Sequence, residues 1–240
     1  MEKLENYIKL CEKRNEVVYT SEFYSLSKIN KILKSNKKLD FDFYFKGLNN
    51  EAEKNVLAIS PKGNEVELKY PVSFFKISSK SKFQKLEHKH YLGSILSLGL
   101  KREILGDLIV KNDVCYGIIF KNILAFLKDN LTRINTSSVE VIEIEEKEVP
   151  RAEFENLQIT LTSPRLDSFV SELTNLSRNM AITHINIGNV QINYEVCRRK
   201  DIRIKKGDIL TIKKYGKYIV GEEKGFTKKS KLKIIVKKYI

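Results

Sequence analysis

Between Val72 and Glu145 the spacing of apolar residues changes character again and again. Strand-like "VSFFKIS" gives way to helical "EHKHYLGSILSLG", then to strand-like "ILGDLIV", the turn "KND", strand-like "VCYGIIF", helical "NILAFLKDNL" and strand-like "VEVIEIE". Alternation with period two marks half-buried strands, and recurrence every three to four residues marks amphipathic helices. The order is β-α-β-β-α-β. Each helix must bury its apolar stripe against the sheet, so this order predicts a split βαβ, ferredoxin-like plait with both helices on one face. The fold class expected is α+β.

Ahead of this block, Leu4, Tyr7, Ile8 and Cys11 recur at helical spacing, and "SEFYSLSKINKILKSN" reads as a second helix with Thr20 or Ser21 as candidate caps. "DFDFYFKGL" alternates as a strand, and "NVLAIS" reads as a strand ending in the turn "PKGN". Behind the block, the acidic run "EIEEKE" and Pro150 mark a shift in composition and predict a domain boundary. The expected division is residues 1–70 as N-terminal helices and short strands, 71–150 as the plait, 151–164 as a linker or strand, and 165–240 as a C-terminal domain with a basic β tail.

Charge sharpens that division. The 240 residues carry 44 Lys and Arg against 30 Asp and Glu, a net charge of +14. From Arg165 onward there are 18 basic and 7 acidic residues, against 26 and 23 before it. A basic excess concentrated in one third of a chain favours a polyanionic partner over an acidic small molecule. Cys11, Cys115 and Cys197 stand far apart, which suggests neither a disulfide framework nor a zinc site; reduced, buried thiols are expected. No signal peptide or membrane-length apolar run is present, so a cytoplasmic protein without membrane contact is expected.

In "RLDSFVSELTNLSRNMAITHINIGNVQIN", Leu166, Phe169, Val170 and Leu173 form one apolar helical stripe beginning at Arg165. Ser177 is placed to cap a second helix whose first residue is Arg178, and Gly188 to close it with a positive φ. A helix start offers free N–H groups and partial positive charge to a phosphate, and an arginine adds a planar, bidentate donor. Two such starts side by side would grip folded RNA backbone, a contact that reads shape more than sequence. Solvated arginines at ordinary helix starts are the plainer alternative.

The same residues carry a resemblance. "RLDSFV", "LSRNMA", "INIGNVQIN" and "KKGDILTI" resemble the small RNA-binding S4 domain, with Arg165, Ser177, Arg178, Ala181, Gly188, Asn193, Gly207 and Asp208 where its pattern expects them. "SKFQKLEHKHYLGSILSLGLKREILGDLIV", "YGKY" and the ending "GFTKKSKLKIIVKKY" extend the likeness to the YlmH-like proteins, from about Phe45 to the end. That resemblance implies an RNA-binding middle domain with an RRM-like plait and a C-terminal S4 domain. It further implies association with the large ribosomal subunit and peptidyl-tRNA in the rescue or quality control of stalled translation, with a link to cell division. Met180, Ile182 and Ile187 depart from the family by making the outer face of the second helix apolar, which shifts the expected grip toward "CRRKDIRIKK" and "KKYGKY".

The expected RNA contacts are Arg165, Ser177, Arg178, Asn179, Asn193, Arg199, Lys200, Lys213, Lys214 and Lys217. Lys89, Lys101 and Arg102 form a possible second contact on the middle domain, because loops and helix edges are where binding residues gather. Tyr116 and Phe120 match the RRM aromatic pattern only loosely, and core packing explains them better. His88 and His90 flank Lys89, but residues two apart on a helix do not share a face, so no metal is expected; His184 reads as a satisfied core histidine. No cofactor motif is present. "RLD" also occurs in pseudouridine synthases, yet here "SFVSEL" follows Asp167, and an aspartate complementing the helix dipole accounts for it. The reading is a monomeric, non-enzymatic binder of structured RNA; an RNA-modification factor and a protein-interaction adaptor with non-specific RNA affinity are the alternatives.

Overall fold

The computed structural model describes residues 2–35, 41–63, 67–79 and 86–240. The chain forms two compact units, Met1–Arg151 and Ala152–Ile240.

The first unit begins with α1 (Glu2–Arg14), β1 (Val18–Tyr19), β2 (Tyr24–Ser25), α2 (Leu26–Ser35), β3 (Phe41–Lys46) and β4 (Lys54–Pro61). Strand β4 is the axis, pairing antiparallel with β1, β2 and β3. Leu4, Ile8 and Cys11 of α1 and Ile29 of α2 pack with Leu57 and Ile59 of β4. Helix α2 starts at Leu26, so Thr20 and Ser21 do not cap it. Thr20 is buried instead, its Oγ1 accepting from the Leu57 amide at 3.1 Å and donating to the Glu22 carbonyl at 3.0 Å. A tertiary hydrogen bond has taken the hydroxyl that a cap would have used.

The middle block follows as β5 (Val72–Ser79), α3 (His88–Ser97), β6 (Leu105–Lys111), β7 (Val114–Phe120), α4 (Lys121–Asn130), β8 (Arg133–Ile134) and β9 (Ser137–Ile144). Residues 81–85, which open the "SKFQKLEHKH" motif, lie outside the described residues. The sheet runs β6-β7-β5-β9-β8 with antiparallel neighbours throughout. Among the four long strands this places the second, third, first and fourth side by side, the order that a split βαβ connection generates. Tyr91 and Ile95 of α3 and Leu124 and Leu127 of α4 pack with Phe75, Ile77 and Ile119 on one face. Gly117 makes room there, since a Cβ on it would run into the Phe75 ring and Leu108.

The opposite face is roofed by the N-terminal segment. Phe74, Ile118, Phe120 and Ile144 pack there with Phe23, Leu48 and Val56. The Phe23 and Phe120 rings meet edge to face with centroids 5.2 Å apart. Asp107 of β6 fastens the roof, accepting from the amides of Glu53 at 2.6 Å and Lys54 at 3.0 Å. Burial pushes the Asp107 carboxyl above its ordinary range, and those two amide bonds oppose the shift.

The second unit comprises β10 (Phe154–Leu161), α5 (Leu166–Thr174), α6 (Arg178–Asn186), β11 (Val190–Ile192), β12 (Glu195–Val196), β13 (Ile209–Ile212), β14 (Gly216–Phe226) and β15 (Leu232–Tyr239). Its antiparallel sheet runs β10-β15-β14-β13-β11-β12. The segment 151–164 thus holds a strand: β10 pairs with β15 from Phe154↔Tyr239 to Leu161↔Leu232. Both helices lie on one face, where Leu166, Phe169, Val170, Ala181 and Ile185 pack with Leu210, Tyr218, Val220 and Val236. Among the described residues of this unit no helix covers the other face. Cys11, Cys115 and Cys197 are buried free thiols.

Candidate nucleic-acid interface

The start of α5 is built around one buried carboxylate. Arg165 is the N-cap residue, and Asp167, in the first turn, is only 1 % exposed. Asp167 Oδ1 accepts from Arg165 Nε at 3.1 Å and from the Ser168 amide at 3.1 Å. Its Oδ2 accepts from Arg165 Nη2 at 3.1 Å and from Arg178 Nε and Nη2 at 3.0 and 2.9 Å. One carboxylate therefore holds both guanidinium groups: Arg165 spans its two oxygens with parallel bonds, the bidentate geometry that strengthens an Arg–carboxylate pair, and Arg178 directs two donors at Oδ2 alone. The side chains of Arg165 and Arg178 remain 38 % and 54 % exposed. The pair is fixed on its inner edge and open on its outer one, where neither Nη1 takes part in these bonds.

This corrects the expected chemistry of α5. Its first amides are not free for a phosphate: Leu166 N–H donates to the Ile202 carbonyl at 2.9 Å and Asp167 N–H to the Lys200 carbonyl at 3.1 Å. The loop carrying "RRKDIR" closes over the helix start, and Arg165 forms an isolated antiparallel bridge with Arg203. Asp167, read from the sequence as a complement to the helix dipole, is a buried anchor for two arginines.

Helix α6 matches its expected signals. Ser177 caps it, its Oγ accepting from the Met180 amide at 3.3 Å, and Arg178 is its first residue. The cap leaves the Arg178 and Asn179 amides at the exposed first turn. Gly188 has φ +83°, and a Cβ there would stand 2.9 Å from Arg198 Nη2, so the glycine also gives a guanidinium room to lie across the helix end. Met180 and Ile187 are exposed as read, but Ile182 is half-buried, and Asn179, Thr183 and Asn186 are exposed beside them, so the outer face of α6 is mixed rather than apolar. His184 is not satisfied: its ring meets Tyr215 edge to face at 5.8 Å, and its buried Nδ1 has no partner among the described residues.

The remaining candidates sort into three groups. Asn193 (φ +49°) shapes a hairpin turn by donating to Asp208 Oδ1 at 2.9 Å and accepting from the Ile209 amide at 2.9 Å. Arg199 and Lys200 are exposed beside the α5 start, with Arg199 3.5 Å from Asp201. Lys213 and Lys214 are exposed in the β13–β14 turn, where Lys214 has φ +74°. Lys217 differs from those two, because its Nζ lies over the Tyr194 and Tyr239 rings, 4.7 and 4.6 Å from their centroids.

The middle-domain candidates do not form a patch. Arg102 turns inward, its Nη1 donating to the Leu105 and Gly106 carbonyls. Lys89 is exposed and paired with Glu87 at 2.9 Å, while Lys101 is exposed in its loop. His90 Nδ1 accepts from the Glu87 amide at 3.0 Å and so completes a capping box for α3. Among the described residues no group of three or more His, Cys, Asp or Glu could hold a metal ion, and no helix is long and apolar enough to cross a membrane. Sequence reasoning pointed to the stretch that holds Arg198 and Arg203 without singling out either residue, and it missed the rings of Phe154 and Tyr239.

Beside the plait and the paired arginines stand the comparisons with known proteins. Residues 66–148 match the family model described as "Putative RNA-binding domain in YlmH". The chain is 26 % identical over 178 residues, 73 % of this chain and 68 % of the relative, to the "Ribosome-associated protein quality control protein P2" of Bacillus subtilis (strain 168). A solved structure, "Cell division protein ylmH from Streptococcus pneumoniae", shares the fold with TM-score 0.53 and 20 % identity, over 61 % of this chain and 90 % of that one. The middle domain is thus similar to that of the YlmH proteins.

Proposed function

We propose that this chain is a non-enzymatic RNA-binding protein whose second unit is an S4-type domain that docks on structured RNA, large-subunit rRNA or peptidyl-tRNA on the ribosome or both, during rescue and quality control of stalled translation. The observation that carries the proposal is the pair Arg165 and Arg178 held on buried Asp167, with their outer edges exposed beside the first turn of α6. A buried anchor fixes two cations that would otherwise repel and wander, so little side-chain freedom is lost when they meet phosphates. Arg199 and Lys200 add exposed charge beside the α5 start, and Lys213 and Lys214 add it in the β13–β14 turn. The ribosomal setting rests on the name of the Bacillus relative, and the cell-division setting on the name of the Streptococcus structural neighbour.

Asp167 also supports the non-enzymatic reading. Both of its oxygens are buried and already accept bonds from arginines or an amide, so neither is free to attack or deprotonate a base. The pseudouridine-synthase alternative requires a reactive aspartate, and this one is a support.

Sedimentation through a ribosome gradient at low and moderate salt tests the proposal. The wild type should travel with the large subunit, and an Arg165→Ala, Arg178→Ala double variant should stay near the top. Arg178→Ala alone should weaken binding to a structured rRNA fragment by about 1 to 3 kcal/mol, the worth of a charge-assisted hydrogen bond. A wild type that stays at the top at both salts would sink the ribosomal reading; a double variant that still co-migrates would move the site elsewhere.

A further inference from the structure

The uncovered face of the second sheet is not a neutral exterior. Register places Phe154, Tyr239 and Lys217 in one row across β10, β15 and β14, with Lys237 one row on. Phe154 and Tyr239 meet edge to face at 4.7 Å, Lys217 lies over both Tyr239 and Tyr194, and Lys237 Nζ is 5.9 Å from the Phe154 centroid. Tyr194 sits in the β11–β12 turn at φ +68°, a backbone conformation that holds its ring at the rim of this face. The result is a continuous ladder of three rings and two ammonium groups, all at least partly exposed.

We propose that this ladder is a second RNA surface on the same unit, one that takes unpaired nucleotides by stacking bases on Tyr239 and Phe154 while Lys217 and Lys237 receive their phosphates. It rests on the RNA-binding reading above but uses none of the α5 and α6 residues. Two chemistries select this occupant. Aromatic rings beside a positive groove track single strands, because every base has a π face and every nucleotide a charge. The strand rows that carry the ladder, Phe154–Tyr239 with Lys217 and Asn156–Lys237–Ile219–Ile209, contain no carboxylate, so these rows complement a polyanion. The lysine-to-ring contacts also exchange well on binding, since the base replaces the ammonium on the ring and the phosphate replaces the ring on the ammonium. Paired RNA keeps its bases stacked inside the helix and cannot make that exchange.

The test is fluorescence anisotropy of the full chain with a labelled single-stranded RNA 12-mer and with a labelled blunt RNA duplex. A Phe154→Ala, Tyr239→Ala double variant should lose about tenfold or more in affinity for the single strand, on the scale of stacking one or two bases, and keep its affinity for the duplex. Arg165→Ala, Arg178→Ala should show the reverse preference. Tyr239→Leu, which keeps the apolar cover without the π face, should lose the single strand while melting like wild type, and Tyr239→Phe should retain it. If ring variants that remain folded bind the single strand as the wild type does, the ladder is a cover for its own sheet and the proposal falls. If Lys217→Ala and Lys237→Ala weaken single strand and duplex alike while ring variants do nothing, the surface acts by charge alone and stacking is refuted. Failure of the wild type to bind either RNA would instead defeat the RNA-binding reading itself.

Discussion

Phe74 and Phe75 are neighbours in β5 and point to opposite faces of the middle sheet, yet both are buried, at 9 % and 0 % exposure. Val236 and Lys237 are the corresponding neighbours in β15 of the second sheet, and there only Val236 is buried. The first sheet lies between its own helices and the N-terminal segment; the second has helices on one face alone. A sheet buried on both faces needs apolar residues at successive positions, whereas one covered on a single face alternates. The consequence for function is a division of labour. The roof over the middle sheet takes up Phe120 and part of Tyr116, the residues of β7 closest to a stacking platform, so the roofed part of that face is core. The second sheet keeps its rings and lysines at the surface, in the part of the chain where the positive charge is concentrated.

The largest effect should come from cutting the roofed face. Ile118 is fully buried between the sheet and Phe23, and Ile118→Ala should cost about 2 to 5 kcal/mol in urea unfolding, the range for deleting a large aliphatic side chain in a core. A loss below about 1 kcal/mol would mean that the N-terminal segment does not hold this face shut.

Next comes the fastening of the roof. Asp107→Ala leaves the Glu53 and Lys54 amides without their acceptor and should cost about 1 to 3 kcal/mol, whereas Asp107→Asn keeps an oxygen for them and should cost less than about 1 kcal/mol. The pH dependence has a definite sign. Burial raises the Asp107 carboxyl in the folded chain above its ordinary value of 3.8, so its stabilising share is fully present below 3.8 and is lost as pH rises through the raised value. Asn carries no such dependence. The stability of the wild type relative to Asp107→Asn should therefore decline as pH rises from about 3.5 toward neutrality; a difference that grows in favour of the wild type would show that the amide bonds outweigh burial.

Part of this division was legible in the chain. The switch between helical and strand periods gave the β-α-β-β-α-β order, and Ser177 and Gly188 marked the ends of α6 through capping chemistry that acts over three residues. "VSFFKIS" and "VCYGIIF" were read as half-buried strands covered by helices on one face, and the second cover was not legible, because Phe23 reaches Phe120 from almost a hundred residues away. Thr20 misled for a similar reason: its hydroxyl looked free for a cap until β4 supplied a tertiary partner. The arginine pair was half visible. Arg165 and Asp167 are two residues apart, while Arg178 reaches the same carboxylate only because the turn after α5, with Asn175 at φ +56°, folds α6 back beside it. His184 could not be read at all, since satisfaction of a ring nitrogen depends on neighbours from other elements.

The smallest expected effect sharpens the comparison most. Ile219 of β14 stands on the open face of the second sheet, between Lys237 and Ile209, and is outside the core that the helices cover. Ile219→Ala removes the same atoms as Ile118→Ala, so the difference between the two variants isolates the covering of the face from the chemistry of the side chain. If the open face is open in solution, Ile219→Ala should cost no more than about 1 kcal/mol, the span of side-chain effects at a half-buried strand position. A cost approaching that of Ile118→Ala would mean that something does cover this face in the folded protein, and the rings beside it would then be core rather than contact surface. The same pair of variants, measured again with a saturating single-stranded RNA, adds a second comparison. Ligand bound only to the folded chain raises its stability in proportion to the logarithm of its concentration over Kd. That increment should be the same for wild type and Ile118→Ala, whose substitution lies in the other unit, and smaller for Ile219→Ala if the isoleucine helps the bases to seat.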